Sequence, residues 1–285
     1  MSLPYRLGSG SLFTRENENT VEPKRVVFLS VEGRRTEVRY FKFIEEYRRE
    51  IGIDAVVHLE ILRKYDDNSD PENVLELLEE YVEFRSQNMF EDEISNLKLR
   101  QYDSEFIRKY LNNRTGLTQR AKNKFEAVLK EEHIDLLYLD FLSKYHGESD
   151  EFGIVIDRDY KSHTEEQIRK VVEKCNNKKY RCYITNPCFE FWQLLHVSDV
   201  IQEYKSQLEE IRKNELDTSE NTYVSNLLHA KTGERKTISA KSFQKYYLPN
   251  IDFAIQNAKK FAAYSDLLDH VGSNLGGLFT LLRGR

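Results

Sequence analysis

Apolar residues recur along this chain with two different periods. RVVFLSV, residues 25–31, is a compact run of β-branched and aromatic side chains that stops at Glu32-Gly33, the pattern of a buried strand. Directly after it Tyr40, Phe41, Ile44 and Tyr47 return every three or four positions, which predicts a helix with Thr36 placed to cap it. The alternation then repeats. DAVVHLEILRK (54–64) predicts a second strand, and Ser69-Asp70-Pro71-Glu72 opens a helix carrying Val74, Leu77, Leu78, Tyr81 and Phe84, with proline in a first turn that needs no amide hydrogen. FGIVI (152–156), ending in Asp157-Arg158-Asp159, predicts a third strand, followed by a helix from about Thr164 to Cys175. YRCYI (180–184) predicts a fourth, which ends at Thr185-Asn186-Pro187 and enters the apolar helix CFEFWQLLH.

Each predicted strand is followed by a helical stretch. Parallel neighbours require such crossovers, so the expected fold class is α/β, a four-stranded parallel sheet flanked by helices. Residues 1–24, polar and rich in Gly, Ser and Asn, read as a flexible N-terminal arm. Residues 88–150 break the rhythm and read as a charged helical insertion, in which Ala121 to Glu132 is the clearest helix and Ile134 to Tyr145 is either a helix or a buried strand. The α/β domain is therefore expected over 25–200, and 201–285 as a helical C-terminal region beside it. Within that region the chain reads as helical to Lys213, loop-like over 228–242, and helical again near 251–261 and 265–282.

Composition narrows the function classes. A chain of 285 residues can bury a core without a disulfide or metal staple. Cys175, Cys182 and Cys188 include no C-x-x-C pair, which argues against a structural zinc site or a disulfide framework and fits a reducing cytoplasm. No apolar run approaches the ~20 residues of a membrane span, so a soluble, cytoplasmic protein is expected. The 43 Lys and Arg against 48 Asp and Glu give a net charge of −5, which excludes a uniformly basic surface. A local patch of cations on a phosphate backbone remains open.

Chemistry-bearing residues gather at the predicted strand ends, where open α/β sheets bind ligands. Glu32 ends the first strand, Asp157 and Asp159 end the third, and Glu190 follows the fourth in the first turn of its helix. Carboxylates converging on one spot raise one another's pKa, and oxygen-only sets of this kind suit Mg²⁺ or Mn²⁺. Glu32, Asp157 and Asp159 are the leading candidates for metal ligation and catalysis. Glu37 and Glu190 are further acids that could instead favour the positive ends of their helices. An Asp-x-Asp at a strand end can equally close a turn or pair with Arg158, and Gly33 can simply supply a positive φ. Arg34, Arg35 and Arg39 after the first strand, with Arg158 and Lys161 after the third, are candidate phosphate contacts. His163 is the best placed of seven histidines to act as a general acid. A second basic stretch, Lys231, Arg235, Lys236, Lys241 and Lys245, has Tyr246 and Tyr247 beside it. That arrangement could follow a single nucleic-acid strand and stack on its bases, or be a solvated loop.

Three blocks carry a resemblance. VEGRRTEVRYF (31–41), VIDRDY (155–160) and ITNPCFEFWQLLH (184–196), in that order, resemble the signature blocks of the RloB-like family. That family is also represented by the second protein of the AbiL phage-exclusion pair, and it is similar to a divergent branch of the Toprim superfamily. The likeness covers roughly residues 25–200, and more weakly the closing helices. It implies a Toprim-like four-stranded parallel sheet, with Glu32 at the position of the glutamate after the first strand and Asp157 and Asp159 at those of the Asp-x-Asp after the third. It also implies an Mg²⁺- or Mn²⁺-dependent nuclease acting on DNA or RNA, transfer RNA included, as effector of a prokaryotic anti-phage abortive-infection system with an ABC/SMC-type ATPase partner. The chain has no G-x-x-x-x-G-K-[ST] loop of its own, which makes a separate ATPase reasonable. More than a hundred residues separate EGRRTE from IDRD, a long interval for the family and one consistent with the insertion. Two rival readings stand beside the nuclease: a non-catalytic Toprim-like module that binds nucleic acid or an ATPase, and a nucleotidyl or phosphoryl transferase on the same metal site. A homo-oligomer is compatible with all three.

Overall fold

The computed structural model describes residues 25–33, 35–54, 57–62, 70–86, 102–111, 116–131, 136, 149–217, 221–233, 238–261 and 266–284. They fall into two compact units. The described residues between 62 and 148, other than 70–75, make one; those within 25–61, 70–75 and 149–284 make the other.

The larger unit is built on a sheet of β1 (Arg25–Val31), β2 (Val57–Ile61), β3 (Glu151–Asp157), β4 (Arg181–Asn186) and β5 (Gly272–Ser273), in the order β2-β1-β3-β4-β5. The first four strands run parallel, as their crossover helices require, and β5 pairs antiparallel with β4. The sheet is thus mixed and five-stranded where four parallel strands were expected. The added strand is two polar or small residues without a hydrophobic signature, and side chains secure its pairing. Thr185 Oγ1 and Ser273 Oγ lie 2.9 Å apart, while Asn274 accepts from the Ile184 amide at 2.7 Å and donates to the Cys182 carbonyl at 2.9 Å. β1 is buried from Val26 to Val31, as a strand covered on both faces must be.

Helix α1 (Thr36–Glu46) turns Tyr40, Phe41 and Ile44 inward at the expected spacing, but Arg35 occupies its N-cap position and Thr36 is already its first helical residue. α2 (Pro71–Ser86) begins at proline, with the Asp70 carboxylate accepting from the Glu72 amide at 2.8 Å. In the smaller unit α3 (Ser104–Leu111) and α4 (Gln119–Glu131) bury Phe125 against the rings of Tyr102, Phe106 and Tyr110. The flexible arm expected over 1–24 lies outside the described residues. So does the element expected over 134–145, apart from Leu136. α5 (Glu165–Lys178) is opened by a capping box in which Thr164 and Gln167 each satisfy the other's amide.

After β4, α6 (Phe189–Leu195) is joined to α1 by a closed polar chain inside the core. Trp192 Nε1 donates to the Tyr40 hydroxyl at 2.9 Å, Tyr40 lies 3.1 Å from His196 Nε2, and His196 Nδ1 lies 2.9 Å from the Trp192 carbonyl. The carbonyl can only accept, so Nδ1 carries the proton and Nε2 receives the Tyr40 hydroxyl. Burial lowers the His196 pKa to about 4, and its two ring nitrogens are satisfied in the neutral form. Residues 228–232, expected as loop, belong instead to α7 (Tyr223–Thr232), capped by Thr222 and ended at Gly233, whose φ of 72° needs the left-handed region. α8 (Ile251–Ala258) and α9 (Gly276–Leu282) also belong to the larger unit. Among the described residues no helix is long and apolar enough to cross a membrane.

Candidate functional site

The chain leaves β1 for β2 on one side and returns to β3 on the other, so the crevice beyond the carboxyl ends of β1 and β3 lies where the strand order reverses. Glu32 and Asp157 meet there. Glu32 extends the ladder through its amide, which donates to the Val155 carbonyl at 3.1 Å, and its Oε2 accepts from the Asp157 amide at 2.8 Å. Glu37 stands in the first turn of α1 and is buried. Its carboxylate lies against Gly33, where an added Cβ would fall 1.8 Å from Oε2. Gly33 is therefore required for the room it leaves. It is not among the glycines with positive φ, so the turn explanation for it does not hold.

Asp157 also accepts from the Phe189 amide at the start of α6, whose first turn holds Glu190. The Asp157 carboxyl is held well above its usual range by burial first, then by the charges of Glu32, Glu37 and Glu190, with the Phe189 amide opposing them. Three acids thus press on a fourth. Beside them is a cavity of about 200 Å³ walled by Thr36, Glu37, Asp157, Asp159, Cys188, Phe189 and Glu190, with Asn214 and Thr222 closing it. The Cys188 thiol is pushed up by burial and by Glu190 and Asp157, and Asn214 donates to its sulfur at 3.4 Å, so it serves as a neutral wall.

The two halves of the Asp-x-Asp pair part ways. Asp157 makes no pair with Arg158. Asp159 reaches the cavity wall while closing a turn, Oδ1 accepting from the Lys161 amide at 3.0 Å and Oδ2 from the Ser162 hydroxyl at 2.9 Å. Arg158, expected as a phosphate contact, is buried. Its guanidinium donates to the Leu268 carbonyl at 2.9 Å and the His163 carbonyl at 3.1 Å and lies 4.1 Å from the Tyr160 ring centre. Those carbonyls hold it inside the fold.

His163 is buried too, with Nε2 3.4 Å from Glu32 Oε1. Burial works against its charged form, but the hydrogen bond to Glu32 and the charges of Glu32, Asp70 and Asp159 win and raise its pKa. That placement suits orienting Glu32 rather than protonating a leaving group. Arg35, Arg39 and Lys161 are exposed and make no ion pair among the described residues. Arg34 lies outside them.

Chemically the donors fit a hard divalent ion: they are carboxylate oxygens, and their mutual charge is what a cation would relieve. Among the described residues, no three His, Cys, Asp or Glu side chains already stand close enough together to hold one. Sequence reasoning missed Thr36, Asn214 and Thr222 as cavity walls. Asn214 sits in the left-handed region at φ 45° after a helix, a common role for asparagine that carries no pointer to a site.

A family model described as RloB-like protein matches residues 27–274, from within β1 to just past β5, and so takes in every acid named above. No curated protein and no solved structure matches the chain.

Proposed function

The chain belongs to the RloB-like family, and from its cluster of acids we propose that it is a divalent-metal-dependent nuclease that hydrolyses phosphodiester bonds in DNA or RNA. One observation carries the reading. Asp157, at the sheet's switch point, lines a cavity with Glu37 and Glu190, and its carboxyl is held well above its usual range by burial first and then by the charges of Glu32, Glu37 and Glu190. Mg²⁺ or Mn²⁺, when bound, would polarise a phosphoryl oxygen and offset the charge of the departing oxyanion. Asp157, Glu32, Glu37 and Glu190 are the side chains to hold it. Glu32 is steadied at Oε2 by the Asp157 amide and at Oε1 by His163, which prepares it to take a proton from an attacking water. Asp159 shapes the turn that presents Asp157. Arg35, Arg39 and Lys161 make no ion pair among the described residues and are exposed, so they can contact phosphates.

A Toprim-like site is supported by Glu32 after β1, by Asp157 at the end of β3 and by Asp159 just beyond it. The setting we infer, an anti-phage effector working with an ABC-type ATPase, is supported by the family resemblance and by the lack of a P-loop in the sequence. The test is incubation with plasmid DNA and total RNA in Mg²⁺ or Mn²⁺, with and without the partner ATPase. Cleavage should vanish in Glu32→Gln and Asp157→Asn; cleavage that survives both removes the mechanism. The turn-closing role of Asp159 favours the non-catalytic alternative, which phage protection unaffected by either substitution would support.

A further inference from the structure

Two basic segments about two hundred residues apart in the chain lie side by side in the fold. α1 begins at the cavity wall with Thr36 and Glu37, and Arg35 and Arg39 are exposed one turn apart, about 6 Å along the helix axis. On the same helix and just after it, Phe43, Tyr47 and Tyr40 pack around Phe243, with ring centres at 5.1, 5.7 and 5.8 Å. Gln244 adds a hydrogen bond to the Tyr47 hydroxyl at 2.5 Å. Phe243 opens a π-helical turn (Phe243–Tyr247) that continues a short helix (Ala240–Ser242), and these two pieces expose Lys241 and Lys245. Lys245 lies over half-buried Tyr246, 4.5 Å from its ring centre. Tyr247, by contrast, is buried and accepts from Gln193, so it belongs to the core. Lys231 is bound by Glu203, and Arg235 and Lys236 lie outside the described residues.

Resting on the nuclease reading, the geometry points to this face as the track that holds a nucleic-acid strand while one of its phosphodiesters occupies the cavity. A chain with net charge −5 repels a polyphosphate unless cations line the approach, and here four of them border the helix that starts at the acids. Sequence-independent strand binding needs that charge, and because Lys245 covers the Tyr246 ring the track holds the strand through its cations. Arg35 and Arg39 grip the phosphates adjoining the cut; Lys241 and Lys245 hold the backbone farther along.

Fluorescence anisotropy with labelled DNA and RNA oligonucleotides in EDTA reads the track without metal chemistry. The Lys241→Glu/Lys245→Glu protein should bind at least about tenfold more weakly and lose about 1.4 of the salt slope, since each single-strand phosphate contact contributes about 0.7. Lys241→Gln/Lys245→Gln should lose the same slope with a smaller change in affinity. Lys170→Glu/Lys174→Glu on α5, an equal change of charge, should bind as wild type. Equal weakening in the α5 control overturns the track, as does polyglutamate displacing the oligonucleotide at equal charge, which would indicate an acidic protein partner. Hydrolysis of bis(4-nitrophenyl) phosphate in Mn²⁺, a diester with no flanking strand for the track to hold, reads the acids alone. It should persist in Lys241→Glu/Lys245→Glu; its loss there would mean the lysines support the cavity's fold and would sink the proposal. No hydrolysis by the wild type counts against the nuclease reading, and anisotropy then judges the track by itself.

Discussion

Acidification should loosen the joint between α1 and α6, the two helices that carry Glu37 and Glu190, through one buried imidazole. His196 is 1% exposed and neutral, with a pKa lowered by burial from 6.5 to about 4. In the unfolded chain the same group takes up a proton near 6.5. Between those values the unfolded state therefore binds more protons, so stability falls as pH drops below about 6.5 and stops falling below about 4. At about 1.4 kcal/mol per pH unit the full loss is about 3 kcal/mol, most of it incurred by pH 4.5. That is a large share of a typical domain's margin. The charged ring would also turn a second donor toward the Tyr40 hydroxyl, which already receives the Trp192 proton, and the chain of bonds would lose its direction.

The assay is urea unfolding of wild type and His196→Gln at pH 7.5 and 4.5. Glutamine retains an acceptor for Tyr40 but does not titrate, so the stability difference between the two proteins isolates the imidazole from every other carboxyl and histidine. Whatever the substitution costs at pH 7.5, the gap should move in favour of the variant by about 2 to 3 kcal/mol at pH 4.5. A gap constant to within about 0.5 kcal/mol would refute the assignment of a neutral, network-bound His196.

Other expectations follow from the same structure. Because the folded Asp157 pKa is raised, its ionised form destabilises the protein at neutral pH, so Asp157→Asn should abolish cleavage and raise the metal-free melting temperature by a few degrees, for about 1 kcal/mol. Mn²⁺ at about 100 times its dissociation constant should stabilise wild type by about 2.7 kcal/mol in differential scanning fluorimetry and leave that variant unmoved; an equal shift in both would place the ion elsewhere. Gly33→Ala should displace the Glu37 carboxylate, cutting turnover at least about tenfold while melting within a few degrees of wild type, since the clash is with the far end of a flexible side chain. His58 bridges Glu45 at 3.1 Å and Glu60 at 3.3 Å; burial opposes its charge, yet these carboxylates raise its pKa to about 9. Its stabilisation is complete below about 6.5 and lost as pH rises through 9, so the advantage of wild type over His58→Gln should shrink by about 2 to 3 kcal/mol between pH 6 and 10.

What the sequence disclosed depended on whether the signal was local. β1 is a continuous buried run, and its limits were readable residue for residue. Strand-end acids were readable because a strand's end is itself a local feature. β5 was invisible, since Gly272-Ser273 pairs through the side chains of Thr185 and Asn274 rather than through a hydrophobic pattern. The fate of Arg158 depends on the Leu268 carbonyl, 110 positions away, which no spacing rule can anticipate. The separate roles of Asp157 and Asp159 likewise depend on a turn and on the Phe189 amide, both assembled only by the fold.

That separation bears on how the acids are organised. A symmetric pair of aspartates would share one ion on equal terms, but Asp159 already has both its oxygens in a turn with Lys161 and Ser162, whereas Asp157 accepts from the Phe189 amide. Glu37 and Glu190 both raise the Asp157 pKa from the first turns of α1 and α6. Those helices are fixed to each other by Tyr40, Trp192 and His196. The core network therefore holds like charges together against their repulsion, and the stability it contributes offsets an acidic centre at the carboxyl ends of β1 and β3. Breaking the network and removing a charge should then be coupled. Tyr40→Phe, destabilising by itself, should cost measurably less in an Asp157→Asn background, because relief of the repulsion removes part of what the network opposes.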